Sequence, residues 1–201
     1  MLVLWAGLPI LALSLHLLSP KTNPQMSMTL FAMFMVSSLS GTIASIMLSV
    51  GIIHEKNRGV YPLFLVRPVK RRDIVLGKFF AVFSCIAVAA VITMLVGLAY
   101  DVAKTGAVDA LVLREAGKSA VIGLSLMAVA SSAGILIGIL SPSVLLGVIL
   151  VLYGGNQLSL ISSLPVFLKF PHQTLFSAAF GVVMTTVLLA TAIVVFNRKQ
   201  F

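Results

Sequence analysis

Residues 54–78 read HEKNRGVYPLFLVRPVKRRDIVLGK and separate two long apolar stretches, 28–53 and 79–99. Each stretch reaches the length of about 20 residues that an α-helix needs to cross the hydrocarbon core of a bilayer. Neither stretch alternates apolar and polar residues with period two, as the strands of a membrane barrel do. The pattern around this loop therefore predicts two membrane-spanning helices joined by a basic connection.

Four further stretches outside this region have a similar composition. With the first two, they predict six transmembrane helices at approximately 2–18, 28–53, 79–99, 119–140, 144–161 and 174–196. Pro142, between two serines, predicts a very short turn between the fourth and fifth spans. We expect 2–18 to be a retained span rather than a signal peptide, because no basic segment precedes it and no small-residue cleavage site follows it. The expected fold is an all-α integral membrane protein with a single transmembrane domain, 1–201.

The overall composition supports a membrane protein. Of the 201 residues, 60% are hydrophobic and 9% are charged, whereas a soluble domain is about half apolar and about a quarter charged. The mean hydropathy of +1.15 is too high for one soluble core of this length. The same numbers exclude a disordered, collagen-like or coiled-coil chain.

The excess of positive charge predicts the orientation of the spans. The net charge is +9, and 14 basic residues stand against 5 acidic ones. Nine basic residues fall on the side of the 54–78 loop and five on the other, so the first side is expected to be cytoplasmic, with both termini there. The basic residues flank apolar spans, which predicts contact with anionic lipid and no nucleic-acid partner. The nine are Lys56, Arg58, Arg67, Lys70, Arg71, Arg72, Lys78, Arg198 and Lys199.

The interiors of the six stretches contain no Asp, Glu, Lys or Arg. Transporters driven by ions or protons usually place ionisable groups at mid-membrane depth, so this absence disfavours them, and it also disfavours a protease with paired carboxylates. His16, His54 and His172 are far apart, and Cys85 has no second cysteine to pair with. We therefore expect neither a catalytic site nor a metal site.

The loop itself has the features of an ordered segment. Gly59 predicts either the end of the helix before it or a tight turn, and Pro62 suits the first turn of a short helix. The apolar run 63–66 needs a surface to cover it, Pro68 ends that helix, and Asp73 is expected to N-cap the third span. These residues alone leave two functions of the loop possible. It is either a set of basic residues that only determines the membrane topology or a short helix that docks a partner protein.

The loop resembles the signature of ABC-2 type transporter permeases. That signature has an acidic residue, basic residues and a glycine after the second span. An apolar segment, Pro-Val, further basic residues, an aliphatic pair and Gly-Lys then open the third span. The six-span pattern agrees with the family over nearly the whole chain. The matching residues are Glu55, Lys56, Arg58, Gly59, Leu63, Leu65, Pro68, Val69, Arg71, Arg72, Ile74, Val75, Gly77 and Lys78.

The resemblance implies an ABC-2 (type V exporter-like) permease fold that works as a homodimer or heterodimer. It also implies a cytoplasmic ABC ATPase subunit that docks on the loop 54–78, and export of an amphiphilic or hydrophobic substrate across the cytoplasmic membrane. ATP and Mg would be bound by that ATPase and no cofactor by this chain, which is then not itself an enzyme. Gly77-Lys78 is not a phosphate-binding loop, because Arg72 replaces its first glycine and no Ser or Thr follows. The coupling residues expected are Glu55, Arg58, Gly59, Tyr61, Pro62, Leu63, Phe64, Leu65, Val66, Arg67 and Pro68, and those at the start of the third span are Arg71, Arg72, Asp73, Gly77 and Lys78.

The alternative function from another class is a non-transporting membrane scaffold or assembly factor, which would dock a cytoplasmic partner through the same loop. An intramembrane enzyme is disfavoured by the missing catalytic cluster.

Two sets of small residues recur at a spacing of four, which places each set on one helix face. Such residues let helices approach closely in lipid. Packing against a neighbouring span is the favoured explanation, and a face near the substrate path or the dimer seam is the alternative. The residues are Ser37, Gly41, Ser45 and Ser49 in the second span and Gly134 and Gly138 in the fourth.

Two segments on the outer side complete the prediction. The segment 162–173 is expected to be a re-entrant or interfacial segment, since its apolar part is too short to cross the membrane. The mixed charges of 101–118 predict a solvated loop with about one helical turn.

Overall fold

The computed structural model describes residues 7, 9–14, 28–59, 71–105, 110–155, 157 and 173–198. Within these ranges every residue is helical apart from Arg58, Gly59 and the three residues 141–143, and there is no strand. A helix satisfies its backbone hydrogen bonds internally, which is what a bilayer demands of a spanning segment. The described part of the chain therefore has the predicted all-α fold.

The described residues after position 27 form five α-helices and one wider helical turn. They are α1, Met28–Asn57; α2, Arg71–Thr105; α3, Ala110–Leu140; α4, Val144–Leu150; a π-helical turn, Val151–Gly155, that continues α4; and α5, Gln173–Arg198. Residues 9–14 are also helical.

Three of these helices, α2, α3 and α5, are long and apolar enough to cross a membrane, whereas Val144–Gly155 is apolar but shorter. The helix α1 has 30 residues and carries its charged residues, Glu55 and Lys56, in its last turn. Most of the predicted first span, 2–18, and the last part of the predicted fifth, 144–161, lie outside the described residues. The count of six spans stays a prediction.

The helices extend beyond the predicted spans at several ends. The helix α2 begins at Arg71, so residues 71–78 of the predicted loop are helical, and Asp73 lies in the first turn rather than at the N-cap. The prediction of a solvated loop was wrong for 101–105 and 110–118, which belong to α2 and α3. Residues 110–118 are rich in strong helix formers, and Glu115 pairs with Lys118 three positions on at 2.6 Å, which supports a helix.

The chain divides into two compact units. The first unit contains residues 1–40 and 84–124. Its core consists of Ala12, Met28 and Ala32, with Leu13 and Tyr100 packed against them. This cluster joins the helical segment 9–14, the start of α1 and the end of α2.

The second unit contains residues 41–83 and 125–201. Its core brings together the last turns of α1, the first turns of α2 and the last turns of both α3 and α5. The aromatic ring of Phe79 stacks on that of Phe83, with the centroids 5.6 Å apart. The buried residues of this core are Leu48, Ile52, Val75, Phe79, Ile135, Ile139, Leu189, Ala192 and Phe196.

Candidate functional site

An ion pair joins the two ends of the 54–78 loop. Glu55 lies in the last turn of α1, and Lys78 lies two turns into α2. Lys78 Nζ donates a hydrogen bond to Glu55 Oε2 across 23 positions of sequence. The side chains are 23% exposed for Lys78 and 34% exposed for Glu55. This partial shielding from water makes the pair stronger than a fully solvated one.

The helix α1 ends at a glycine with left-handed backbone geometry. Gly59 has a φ of 63°, and its N–H donates to the carbonyl of Lys56 at 3.1 Å. The N–H of Arg58 donates to the carbonyl of His54, also at 3.1 Å. A left-handed residue after the last turn is a common way to end a helix, and glycine adopts it without steric cost. The structure thus has the helix stop that the sequence predicts at this position.

The end of α1 also contacts the connection between α3 and α4. Lys56 Nζ donates a hydrogen bond to the carbonyl of Ser141 at 3.2 Å. Ser141 follows the last residue of α3, and Ser143 N-caps α4 by accepting from the N–H of Leu146 at 3.4 Å. The very short turn predicted around Pro142 is present. A lysine at this end of α3 interacts favourably with the helix dipole, whose C-terminal end is negative.

The small residues of α1 pack against α3. A methyl carbon built on Gly134 would lie 2.5 Å from the carbonyl oxygen of Ser45, and one built on Gly138 would lie 3.0 Å from the Cα of Ser49. Gly41 lies on the same face, with Ala130 as its neighbour. Such contacts require small residues at the point where two helices meet. These contacts support the packing role predicted for these residues, and the alternative, a face near the substrate path or the dimer seam, stays a prediction. The side chain of Ser37 lies outside the described residues.

The same face of α1 also packs against α4 and its π-helical turn. A methyl carbon built on Gly147 would lie 3.0 Å from Ser49 Oγ, and one built on Gly155 would lie 3.4 Å from Ser45 Oγ. Each serine therefore lies between a glycine of α3 and a glycine of the α4 segment. We call these six residues the Ser-Gly seam: Ser45, Ser49, Gly134, Gly138, Gly147 and Gly155.

The seam is held by close packing rather than by hydrogen bonds. Ser45 and Ser49 are 1% and 0% exposed, and their hydroxyls have no hydrogen-bond partner among the described residues. Leaving a buried polar group unpaired costs about 1–3 kcal/mol. The close approach of three helix segments has to offset this cost.

Asp101 makes a second set of polar contacts, in the first unit, that the sequence analysis missed. Its carboxylate accepts hydrogen bonds from the N–H groups of Met28 and Thr29, both at 2.9 Å, and from Thr29 Oγ1 at 2.6 Å. Gly97, one turn earlier on α2, lets the two helices approach, because a methyl carbon there would lie 3.0 Å from the Cα of Thr29. The one signal in the sequence is that Asp101 is the first acidic residue after the apolar run 79–100.

Other predicted residues are less constrained. Arg72 and Asp73 are exposed neighbours, with Nε 3.4 Å from Oδ1, and such a pair contributes little. A methyl group on Gly77 would meet nothing within 4 Å. The predicted docking residues from Tyr61 to Pro68 and the side chain of Arg71 lie outside the described residues. Within the described ranges, no three His, Cys, Asp or Glu residues form a group that could hold a metal ion.

The sequence comparison identifies the family to which this arrangement belongs. The family described as ABC-2 family transporter protein matches residues 1–157. The chain belongs to the ABC-2 transporter family. The match covers α1 to α4, the π-helical turn and the whole 54–78 loop, and α5 follows it. No curated protein matches the chain.

Membership of the ABC-2 family makes the chain a membrane permease of an ABC transporter. Permeases of this family generally work with an ATP-binding subunit and lie in the plasma membrane. In this ABC-2 chain, the second half of α1 makes the contacts described above: Glu55 contacts α2, Lys56 contacts the α3–α4 turn, and Ser45 and Ser49 of the Ser-Gly seam contact α3, α4 and the π-helical turn.

Proposed function

We propose that this chain is the membrane-spanning subunit of an ATP-driven exporter, with ATP hydrolysed by a separate ABC ATPase that docks on the 54–78 loop. The proposal rests on one observation above the others. The Glu55–Lys78 ion pair fixes the two ends of the loop to each other, within the region that matches the ABC-2 family. When the ends of a loop are fixed to each other, a displacement of the loop by a bound protein also displaces the two helices that it joins, α1 and α2. When the ends are free, the loop can move without them.

The side of the membrane that meets the ATPase follows from charge. Nine basic residues lie in the loop and the C-terminal tail. The second unit supports their placement on one side, because its core packs Val75 at the start of α2 with Phe196 at the end of α5. Basic residues favour the cytoplasmic side. The loop and the C-terminus are therefore cytoplasmic in this proposal, and so is the N-terminus if the chain has six spans.

The proposed substrate is amphiphilic or hydrophobic. The predicted spans carry no Asp, Glu, Lys or Arg in their interiors, so a path between them would offer apolar side chains and hydroxyls rather than charges. Such a path suits a cargo that partitions into the bilayer. The working unit is a dimer of permeases, identical or different, as the family resemblance implies.

Copurification tests the docking step. The chain is coexpressed with the ABC ATPases of its own organism, and the intact chain is expected to retain one of them through detergent purification. Replacing 61–66 with a Gly/Ser linker is expected to abolish retention, because the linker removes the apolar residues that would meet the ATPase. Replacing 106–109 with a Gly/Ser linker is the matched control and is expected to leave retention unchanged. If the 61–66 variant still holds the ATPase, docking occurs elsewhere.

A transport assay separates the exporter from a scaffold. The complex is reconstituted into liposomes with rhodamine 6G, a fluorescent amphiphilic cation, and supplied with ATP. An exporter is expected to move the dye or to hydrolyse ATP faster in its presence. A complex that binds the ATPase but shows neither response to a panel of amphiphiles would favour the scaffold function.

A further inference from the structure

Lys56 occupies a position from which it connects two parts of the second unit. Its backbone belongs to the last turn of α1, next to Glu55. Its ammonium group donates to the carbonyl of Ser141, at the point where α3 has ended and α4 has not yet begun. The side chain of Lys56 in α1 thus contacts the backbone of the α3–α4 turn, 85 positions later in the sequence.

The chemistry of this contact favours a cation at residue 56. Ser141 is buried, and its carbonyl lies at the C-terminal end of α3, where the helix dipole is negative. Its N–H donates to the carbonyl of Ile137 at 2.8 Å. A lysine is long enough to reach a carbonyl on a neighbouring helix while its stem packs along the apolar surface.

The helices behind this contact leave no space for independent sliding. Ser49 lies between Gly138 of α3 and Gly147 of α4, and methyl carbons built on these glycines would both lie 3.0 Å from Ser49 atoms. A buried, close-packed interface transmits displacement instead of absorbing it.

We infer that Lys56 is a positioning residue for transport: it passes movement of the 54–78 loop to the α3–α4 turn, and so to α4 and its π-helical turn. This inference rests on the proposed function, because it assumes that an ATPase moves the loop. It adds the route by which that movement leaves the loop, through α1 to α3 and α4.

A fluorescent reporter on the far part of the α4 segment tests this route. Tyr153 is 77% exposed in the π-helical turn, so a fluorophore is attached to a Tyr153→Cys chain in which Cys85 is replaced by serine. The complex with the ATPase is compared without nucleotide and with ATP and vanadate, which trap the ATPase. In the labelled chain that retains Lys56, the fluorescence is expected to differ between the trapped state and the nucleotide-free state.

The decisive variant is Lys56→Met. It is expected to keep the ATPase and its nucleotide binding but to reduce the fluorescence change by about fivefold or more, in the range of ordinary coupling energies. Lys56→Arg restores a donor and a charge and is expected to restore most of the change. Lys104→Met, which removes an exposed lysine from the last turn of α2, is the matched control and is expected to behave like the parent. A Lys56→Met complex with the full fluorescence change overturns the inference.

A second measurement decides the question if Lys56→Met does not fold. Spin labels are placed at Asn57→Cys and Pro142→Cys in a chain with Cys85→Ser and with Lys56 retained, and their distance is measured with and without trapped nucleotide. When the residue 153 signal responds to trapping, a constant distance supports movement of the loop end and the turn as one body, and a changed distance overturns it. If the parent chain does not retain the ATPase at all, the proposed function fails. If the ATPase binds and hydrolyses ATP while the residue 153 signal stays constant, only the present inference fails.

Discussion

Asp101, near the end of α2, closes the first turn of α1 by accepting hydrogen bonds from the N–H and the hydroxyl of Thr29, at 2.9 and 2.6 Å. The first N–H groups of a helix have no partner within that helix. A cap usually comes from the residue just before the helix; the Asp101 carboxylate lies 72 positions later in the chain than Thr29. The negative charge also suits the positive end of the α1 dipole.

Removing this carboxylate should destabilise the fold. Asp101→Ala leaves the N–H groups of two buried residues, Met28 and Thr29, without their acceptor, which we expect to cost about 1–3 kcal/mol. Unfolding by SDS in mixed micelles measures the change. Asp73→Ala, which removes an exposed carboxylate from the first turn of α2, should cost less than about 1 kcal/mol. Equal losses for the two variants would contradict the capping role of Asp101.

The Ser-Gly seam predicts opposite effects for two glycines of α3. Gly134→Ala places a methyl carbon 2.5 Å from the backbone oxygen of Ser45, so we expect a loss of about 1–3 kcal/mol from overpacking. Gly117→Ala adds a methyl group with nothing within 4 Å and should stabilise the helix by about 0.5–1 kcal/mol. The same unfolding assay compares them. A neutral Gly134→Ala would mean that α1 and α3 are not in close contact.

The ion pair between α1 and α2 should give a measurable coupling energy. A double-mutant cycle with Glu55→Gln and Lys78→Met is expected to show about 1 kcal/mol of coupling, because the pair joins two helices and is partly shielded. The exposed Glu115–Lys118 pair within α3 is the comparison and should give about 0.3–0.5 kcal/mol. In the copurification assay, Glu55→Gln should weaken ATPase retention and Glu115→Gln should not. Zero coupling between Glu55 and Lys78 would remove the main support for a loop with fixed ends.

Gly59 should tolerate substitution poorly. Its φ of 63° costs a residue with a side chain about 1–2 kcal/mol, so Gly59→Ala should lower stability and Gly59→Asn should lower it less, since asparagine adopts this region more readily. Gly51→Ala in the middle of α1 meets nothing within 4 Å and should be neutral or stabilising. Thermal unfolding in detergent ranks the three. If Gly59→Ala matches Gly51→Ala, α1 does not depend on the left-handed stop.

The sequence predicted the features that depend on local pattern. Apolar length located α2, α3 and α5, and glycine chemistry located the stop at Gly59. Spacing placed Ser45 and Ser49 on one helix face, but it did not say which helix lies opposite, because the pattern of one helix carries no record of its neighbour. The two glycines that complete the seam, Gly147 of α4 and Gly155 of the π-helical turn, were therefore not predicted.

The contacts of single charged residues were the features that pattern could not supply. Asp101 and Lys56 each cap the end of a helix that is remote in sequence. In the sequence both residues are close to other charged residues. Mixed charges near the end of an apolar run suggest a segment that is exposed to solvent. Their partners are backbone groups, which every residue has, so no complementary residue marks the contact.

The π-helical turn at Val151–Gly155 sets the rotation of the α4 segment about its own axis. In an α-helix each residue advances by about 100°, so Gly147 and Gly155, eight positions apart, would stand about 80° apart around a regular helix. A π-helical turn is wider and advances less per residue, which brings Gly155 back toward the direction of Gly147. Both glycines then meet the same face of α1, at Ser49 and Ser45. The extra width of one turn corrects the rotational phase of the helix, and a helical wheel drawn without it would place Gly155 about 80° away from Gly147.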